Sequence, residues 1–298
     1  METSDTAANA AAGAGTGSGT GSGAEAGDPV RDWQPTGIDT SVPSVARVYD
    51  AILGGKDNFA VDRAIADETL RVLPGARIGA QAHRAMMGRG VRFLAEQGID
   101  QFLDLGSGLP SGENTHEIAQ SVNPKARVAY VDNDPIVLAH GRALLADNPF
   151  TKVATADLRD PADVLSRPEV ADLLDFSRPI ALLMLGVVHH LGDAEDPNAV
   201  VAAYRDAVAP GSYLYLTHFC ASGPEAAAME QLMLRSLGSG RFRTVEEIEA
   251  FFDGFDLVEP GVVPLVAWRP AEPIADPLPP YQRVSWGGIG KLRRTTPA

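Results

Sequence analysis

The chain has 298 residues, 45% hydrophobic and 21% charged, which is enough for one large domain with a proper core. Its 39 Asp and Glu outweigh 25 Lys and Arg, giving a formal charge of −14; this acidity argues against a nucleic-acid partner, since phosphate contacts need clustered cations. The single Cys220 excludes an intramolecular disulfide and fits a reducing cytoplasm, and no apolar run is long enough to span a membrane.

Residues 8–27 are Ala, Gly, Ser and Thr but for Asn9 and Glu25, with almost nothing to bury, so residues 1–37 are expected to form a disordered tail. The rest, 38–298, reads as a single domain. Pro43 opens a short helix carrying Val45, Val48, Tyr49 and Ile52, and Gly54-Gly55 stops it. Helical spacing predicts a second helix over 61–73 and a third over 80–97, with Met86, Met87, Val91 and Leu94 on one face. These helices precede the first strand. The expectation is a helical lid over 38–98 on a Rossmann-like core over 99–298. Arg77, Arg84, Arg89 and Arg92 read as a solvated helix face.

Phe102-Leu103-Asp104-Leu105 is an apolar strand that runs into the glycine turn Gly106-Ser107-Gly108. A second strand, from Arg127, ends on Asp132 and is followed by Asn133; Asp134-Pro135 then reads as a helix start. A strand–glycine loop–helix–strand–acid unit is the sequence form of a nucleotide-binding βαβ half. The third glycine of a dinucleotide fingerprint is missing: Ser111 stands there, and Pro110 removes a backbone donor. The loop therefore suits a ribose ligand without phosphate. A carboxylate at Asp104 would repel phosphate but could hold a cationic amino-acid group, and Asp132 can accept from ribose hydroxyls. S-adenosyl-L-methionine has both features.

A third strand, from Val153, ends near Asp157-Leu158. The fourth, 179–185, is wholly apolar and runs into Gly186-Val187-Val188-His189-His190. A helix over 197–208, a strand over 212–217, helices over 225–237 and 245–252, and a closing pair of strands over 262–268 and 283–289 complete the chain. The predicted architecture is a seven-stranded sheet, six strands parallel and one antiparallel, with helices on both faces.

On these residues the chain resembles class I S-adenosylmethionine-dependent methyltransferases, and more narrowly the S-adenosyl methyltransferase family long catalogued as a domain of unknown function. The motifs are residues 43–59, residues 102–117 and Trp286-Gly287-Gly288-Ile289-Gly290; the resemblance spans about 38–292. It implies a Rossmann-like fold and cofactor contacts from Asp104, Gly106, Ser107, Gly108, Asp132, Asn133, Asp157, Leu158 and Gly186, with Asp157 accepting from the adenine amine. It brings no acceptor.

His189 and His190 sit where an imidazole could orient a substrate or take its proton; either could equally bond a backbone carbonyl. Tyr49 joins them as a catalytic candidate. Arg47, Asp50 and Asn58 form a dense polar group in the lid, read as facing substrate or cofactor, with a plain helix stop and turn as the rival reading. No Asp/Asn-Pro-Pro-Tyr signature follows the fourth strand, which argues against methylation of a base amine and for a small-molecule acceptor. No Cys/His spacing suggests a metal site. The expected chemistry is direct in-line displacement of the methyl group. Two alternatives stay open: a regulatory module that binds the cofactor without turnover, and an NAD(P)-dependent oxidoreductase.

Overall fold

The computed structural model describes residues 39–110, 113–144 and 148–293. The expected tail over 1–37 lies outside these residues, as do Ser111 and Gly112 of the glycine loop. The helices are α1 (Val45–Leu53), α2 (Ala60–Val72), α3 (Ala76–Glu96), α4 (Thr115–Val122), α5 (Pro135–Leu144), α6 (Pro161–Ser166), α7 (Pro168–Ala171), α8 (Pro197–Ala207), α9 (Pro224–Leu237), α10 (Val245–Ala250) and α11 (Pro280–Arg283). The strands are β1 (Gln101–Leu105), β2 (Arg127–Asp132), β3 (Thr151–Thr155), β4 (Ala181–Leu185), β5 (Tyr213–Phe219), β6 (Phe255–Leu257), β7 (Val263–Pro264) and β8 (Ser285–Leu292).

The sheet runs β3-β2-β1-β4-β5-β8-β6. The first five strands are parallel, and β8 is antiparallel to both β5 and β6. Along this path six strands point one way and one the other, the predicted Rossmann-like arrangement. The end of the chain differs in detail. Instead of one strand over 262–268, two residues of β7 pair with β8 before a 3-10 turn, Leu265–Ala267, and the three-residue β6 takes the sheet edge. Pro264 lacks the N–H that would extend the ladder, which keeps β7 short.

Strand side chains alternate between two layers. Leu103, Leu105, Val131, Leu182 and Leu216 face the α6–α8 side. Phe102, Val128, Leu183 and Tyr215 face Met86, Val91 and Leu94 of α3 and Ile118 of α4. All of these are essentially inaccessible. Each such aliphatic side chain contributes roughly 1.5–3 kcal/mol through burial. The second half of α3 is therefore core, not lid. Tyr215 also donates its hydroxyl to the Met86 carbonyl at 2.7 Å. Nearer the start of α3, Ala80 packs with Val48 and Ile52 of α1 and Ala66 of α2. The four arginines do not form a common solvated face: Arg77 donates to the Ile52 carbonyl, and Arg89 to the carbonyls of Trp268 and Leu265.

The order places the change of winding direction between β1 and β4, where open α/β sheets bind ligands beyond the carboxyl ends of their strands. Among the described residues no helix is long and apolar enough to cross a membrane.

Candidate functional site

A cavity of about 900 Å³ opens at that point. Asp104, Gly106, Ser107, Gly108, Asp132, Asn133, Asp157, Leu158 and Gly186 all line it, and so do Arg47, Tyr49, His189 and His190. Asp50 and Asn58 do not.

At one end the β1–α4 turn is built by glycine. Gly106 has φ 73°, and a Cβ there would lie 2.3 Å from Val187 Cγ1. The amides of Gly106 and Ser107 donate to the Val131 carbonyl, and that of Gly108 donates to Asp132 Oδ2 at 2.8 Å. These amides are thus engaged within the protein, and none is left to cradle a phosphate. Asp132 also accepts from the Asp134 amide at 2.9 Å, which fixes its carboxylate at the cavity wall. Asp104 accepts from Thr115 Oγ1 at 2.7 Å. Burial pushes its carboxyl up to about 6, against the opposing pull of Thr115 and Arg84. Arg84 lines the cavity on this side and donates to the Glu113 carbonyl at 2.8 Å. Asp157 stands two residues beyond β3. Arg159 grips both its oxygens and reaches Glu195 at 2.9 Å, and this pairing holds the Asp157 carboxyl below its ordinary range.

The other end is a histidine cluster on the loop after β4 and the last residues of β5. His189 and His190 occupy a 3-10 turn, Val188–His190. The His189 ring is 4.3 Å from both His190 and Phe219 and 5.5 Å from His218. Its Nδ1 is buried without a partner. His190 Nδ1 meets Ser239 Oγ at 2.8 Å. Burial pushes the His190 imidazole down to about 4, and burial with the neighbouring histidines holds His189 well below the usual range. Both are neutral imidazoles at neutral pH. Among the described residues no group of three or more metal-binding side chains converges.

Tyr49 reaches the same end, but its hydroxyl is engaged. It donates to the Ala80 carbonyl at 3.2 Å. This assigns the proton of His83 to Nδ1, 3.1 Å from the Tyr49 oxygen, and Nε2 accepts from Thr217 Oγ1 at 2.8 Å. Burial pushes Tyr49 up to about 12 and His83 down to about 4. The trio bridges α1, α3 and β5 across the cavity. His83 carries no motif around it and was not visible as a site residue in the sequence; nor were Thr217, His218 and Ser239, which come from separate segments.

The remaining lid residues hold the lid itself. Arg47 is buried, pairs with Asp62 at 3.1 Å and donates to the Val42 carbonyl. Asp50 accepts from the Asp57 amide at 2.9 Å and from Asn58 Nδ2 at 2.8 Å. A side chain at Gly55 would strike the Asp50 carboxylate. The polar cluster that suggested substrate contacts thus closes the α1–α2 turn. Ser44 donates to Asp134, and Ala46 and Phe59 pack on Leu109, Ile136 and Val137, which brings the lid down beside the glycine loop.

The profile of the family described as S-adenosyl methyltransferase matches residues 31–293. A crystal structure from Thermobifida fusca, assigned provisionally to the methyltransferases, is 53% identical with a TM-score of 0.85; the match covers 88% of this chain and all of that one. A DUF574 family protein from Streptomyces avermitilis is 39% identical with a TM-score of 0.81, over 85% of this chain and 99% of that one. No curated protein matches the sequence.

Proposed function

This chain belongs to the S-adenosyl methyltransferase family, whose cofactor is S-adenosyl-L-methionine, and from that premise we propose that it methylates a small molecule held at the histidine end of the cavity. The observation that carries the proposal is one continuous cavity joining the acidic glycine-loop end to the neutral histidine end.

The donor set fits this cofactor. Asp104 and Asp132 offer acceptors for an ammonium and for ribose hydroxyls, while the amides of Gly106, Ser107 and Gly108 are already bonded. A Cβ at Gly108 would meet nothing within 4 Å, so the cavity is open above the loop. Asp157, Asn133 and Leu158 would border the adenine, with Asp157 sharing its carboxylate between Arg159 and the ring amine. When bound, the cofactor supplies an electrophilic methyl group with a good leaving group already in place. The protein's share is then mainly placement. His189 and His190 hold the acceptor, and one of them takes its proton. Tyr49, through His83, fixes α1 and α3 against β5 and so shapes the acceptor end. The lid excludes water.

The test is calorimetric titration of the protein with S-adenosyl-L-methionine and with NAD, followed by incubation with labelled methyl donor and a pool of cell metabolites. The proposal expects binding of the first alone and label on a small molecule. Binding without any labelled product would favour the regulatory module; binding of NAD alone would sink both readings.

A further inference from the structure

The two ends of the cavity differ in charge. Among the described residues, every carboxylate that lines it, Asp39, Asp104, Asp132, Asp134 and Asp157, comes from the segment before α1 or from β1, β2 and the loops that follow β2 and β3. Arg47 and Arg159 are on that side too, Arg47 against Asp62 and Arg159 against Asp157 and Glu195, while Arg84, bonded to the Glu113 carbonyl, stands between Asp104 and the Tyr49–His83 pair. Beyond Gly186 the walls are Leu73, Phe219, Met229, Met233, Leu237 and Val284, with hydroxyls and histidines as the polar groups. The ion pair behind this end, Arg243 with Asp193 at 2.9 Å, does not line the cavity. His218 stands in front of it and accepts from Arg243 at 3.0 Å.

We infer that the acceptor is an uncharged phenol, an aromatic ring compound whose hydroxyl meets His189 and whose apolar body lies against Met229, Met233 and Leu237. The inference rests on the methyltransferase reading and narrows it. A carboxylate or ammonium on the acceptor would lose its hydration here and meet no counter-ion, which is far costlier than burying a neutral ring. The two thioethers beside Phe219 make an adaptable wall that favours aromatic contact. The hydroxyl finds a side chain with unmet bonding capacity: His189 lines the cavity and no described residue bonds its Nε2, while its Nδ1 is sealed in the protein. A hydrogen bond to the acceptor satisfies that ring. In the reaction the acceptor oxygen bonds to the methyl carbon as the carbon–sulfur bond breaks with its electron pair left on sulfur, and the hydroxyl proton passes to the imidazole. Burial makes His189 a weak base, so it can assist only a hydroxyl that is itself fairly acidic; a phenol, at about 10, is suited to it where an alkyl alcohol is not.

The experiment uses the full chain saturated with S-adenosyl-L-homocysteine. It is titrated in turn with 2-naphthol, the 6-carboxylate of 2-naphthol and its 6-aminomethyl derivative. The inference expects 2-naphthol to bind tighter than either charged analogue by about 10-fold or more, as an unpaired buried charge requires. Met233→Asp should weaken 2-naphthol by a similar factor, with the affinity for S-adenosyl-L-homocysteine unchanged. With labelled donor, the product should be the methyl ether. Equal or tighter binding of a charged analogue, or no binding of 2-naphthol to the saturated protein, would overturn the inference while leaving the methyltransferase reading in place. Failure of S-adenosyl-L-homocysteine itself to bind would overturn that reading instead.

Discussion

The glycine-loop end of the cavity and the histidine end are built on different physics. The first is held by charge and backbone: Asp132 is pinned by two amides, Asp157 is gripped by Arg159, and Asp104 is buried beside Thr115. The second is held by burial: four histidines, His83, His189, His190 and His218, are kept neutral by desolvation, with the His189 ring packed on His190, His218 and Phe219. A preorganised charged end suits a ligand whose chemistry never varies. A neutral end, adaptable in its thioethers, suits a partner chosen by shape and by one hydrogen bond.

If the ends are separable, a change at one should leave the other's property intact. The largest expected effect is at the histidine end. His189→Ala should slow single-turnover methyl transfer by about 10²–10⁴-fold, the usual range for a positioned acid–base group, with cofactor affinity unchanged. A loss of a few fold would reduce His189 to positioning. At the loop end, Asp132→Ala should weaken S-adenosyl-L-methionine binding by about 1.5–3 kcal/mol, measured by calorimetry.

The pH responses should also part. Asp104 titrates near 6, so cofactor affinity should be flat above pH 7 and fall as the carboxylate is neutralised below 6. His83 and His190 have folded values near 4, below their unfolded value of about 6.5. The unfolded chain thus binds more protons between those limits. Their contribution to stability is complete above 6.5 and is lost as pH falls toward 4. Asp104 and Asp132 work in the opposite sense, since burial raises both, but His189 and His218 are lowered as well, so the histidines outnumber the carboxylates. Thermal melts from pH 7.5 to 4.5 should show a falling midpoint; a midpoint that rises on acidification would contradict the burial of neutral histidines.

Smallest of all should be the effect of the lid turn on ligand affinity. Asn58→Ala removes a bond to Asp50 and should cost roughly 0.5–1.5 kcal/mol of stability while cofactor affinity and turnover stay within a factor of about two. A large loss of affinity would return Asn58 to the site it does not line.

The same contrast explains what could be read from the sequence. The charged end is local: Asp104, the glycines and Asp132 lie within one strand–turn–helix–strand unit, so spacing alone places them together, and all of them line the cavity. The neutral end is assembled from α1, α3, the loop after β4, the last residues of β5 and α9, and no spacing connects His83 with Thr217 or His190 with Ser239. His189 and His190 were visible because they follow β4 directly. Arg84 resembled its neighbours on α3, yet it turns into the cavity while Arg77 and Arg89 tie down carbonyls. Asp50 and Asn58 sit together for a physical reason: at a tight helix stop the Asp50 carboxylate accepts from the Asp57 amide, and the Asn58 carboxamide donates to Asp50 and to the Gly55 carbonyl. β6, three residues long, was too short for any alternation to show.

The central claim is that one cavity holds cofactor and acceptor at chemically distinct ends. Calorimetric titration of S-adenosyl-L-homocysteine into the wild type, Asp132→Ala and His189→Ala tests it most directly. The account predicts one site per chain, an affinity about 10-fold or more weaker in Asp132→Ala, and a wild-type value in His189→Ala. Equal losses in both variants, or none in Asp132→Ala while it remains folded, would contradict it.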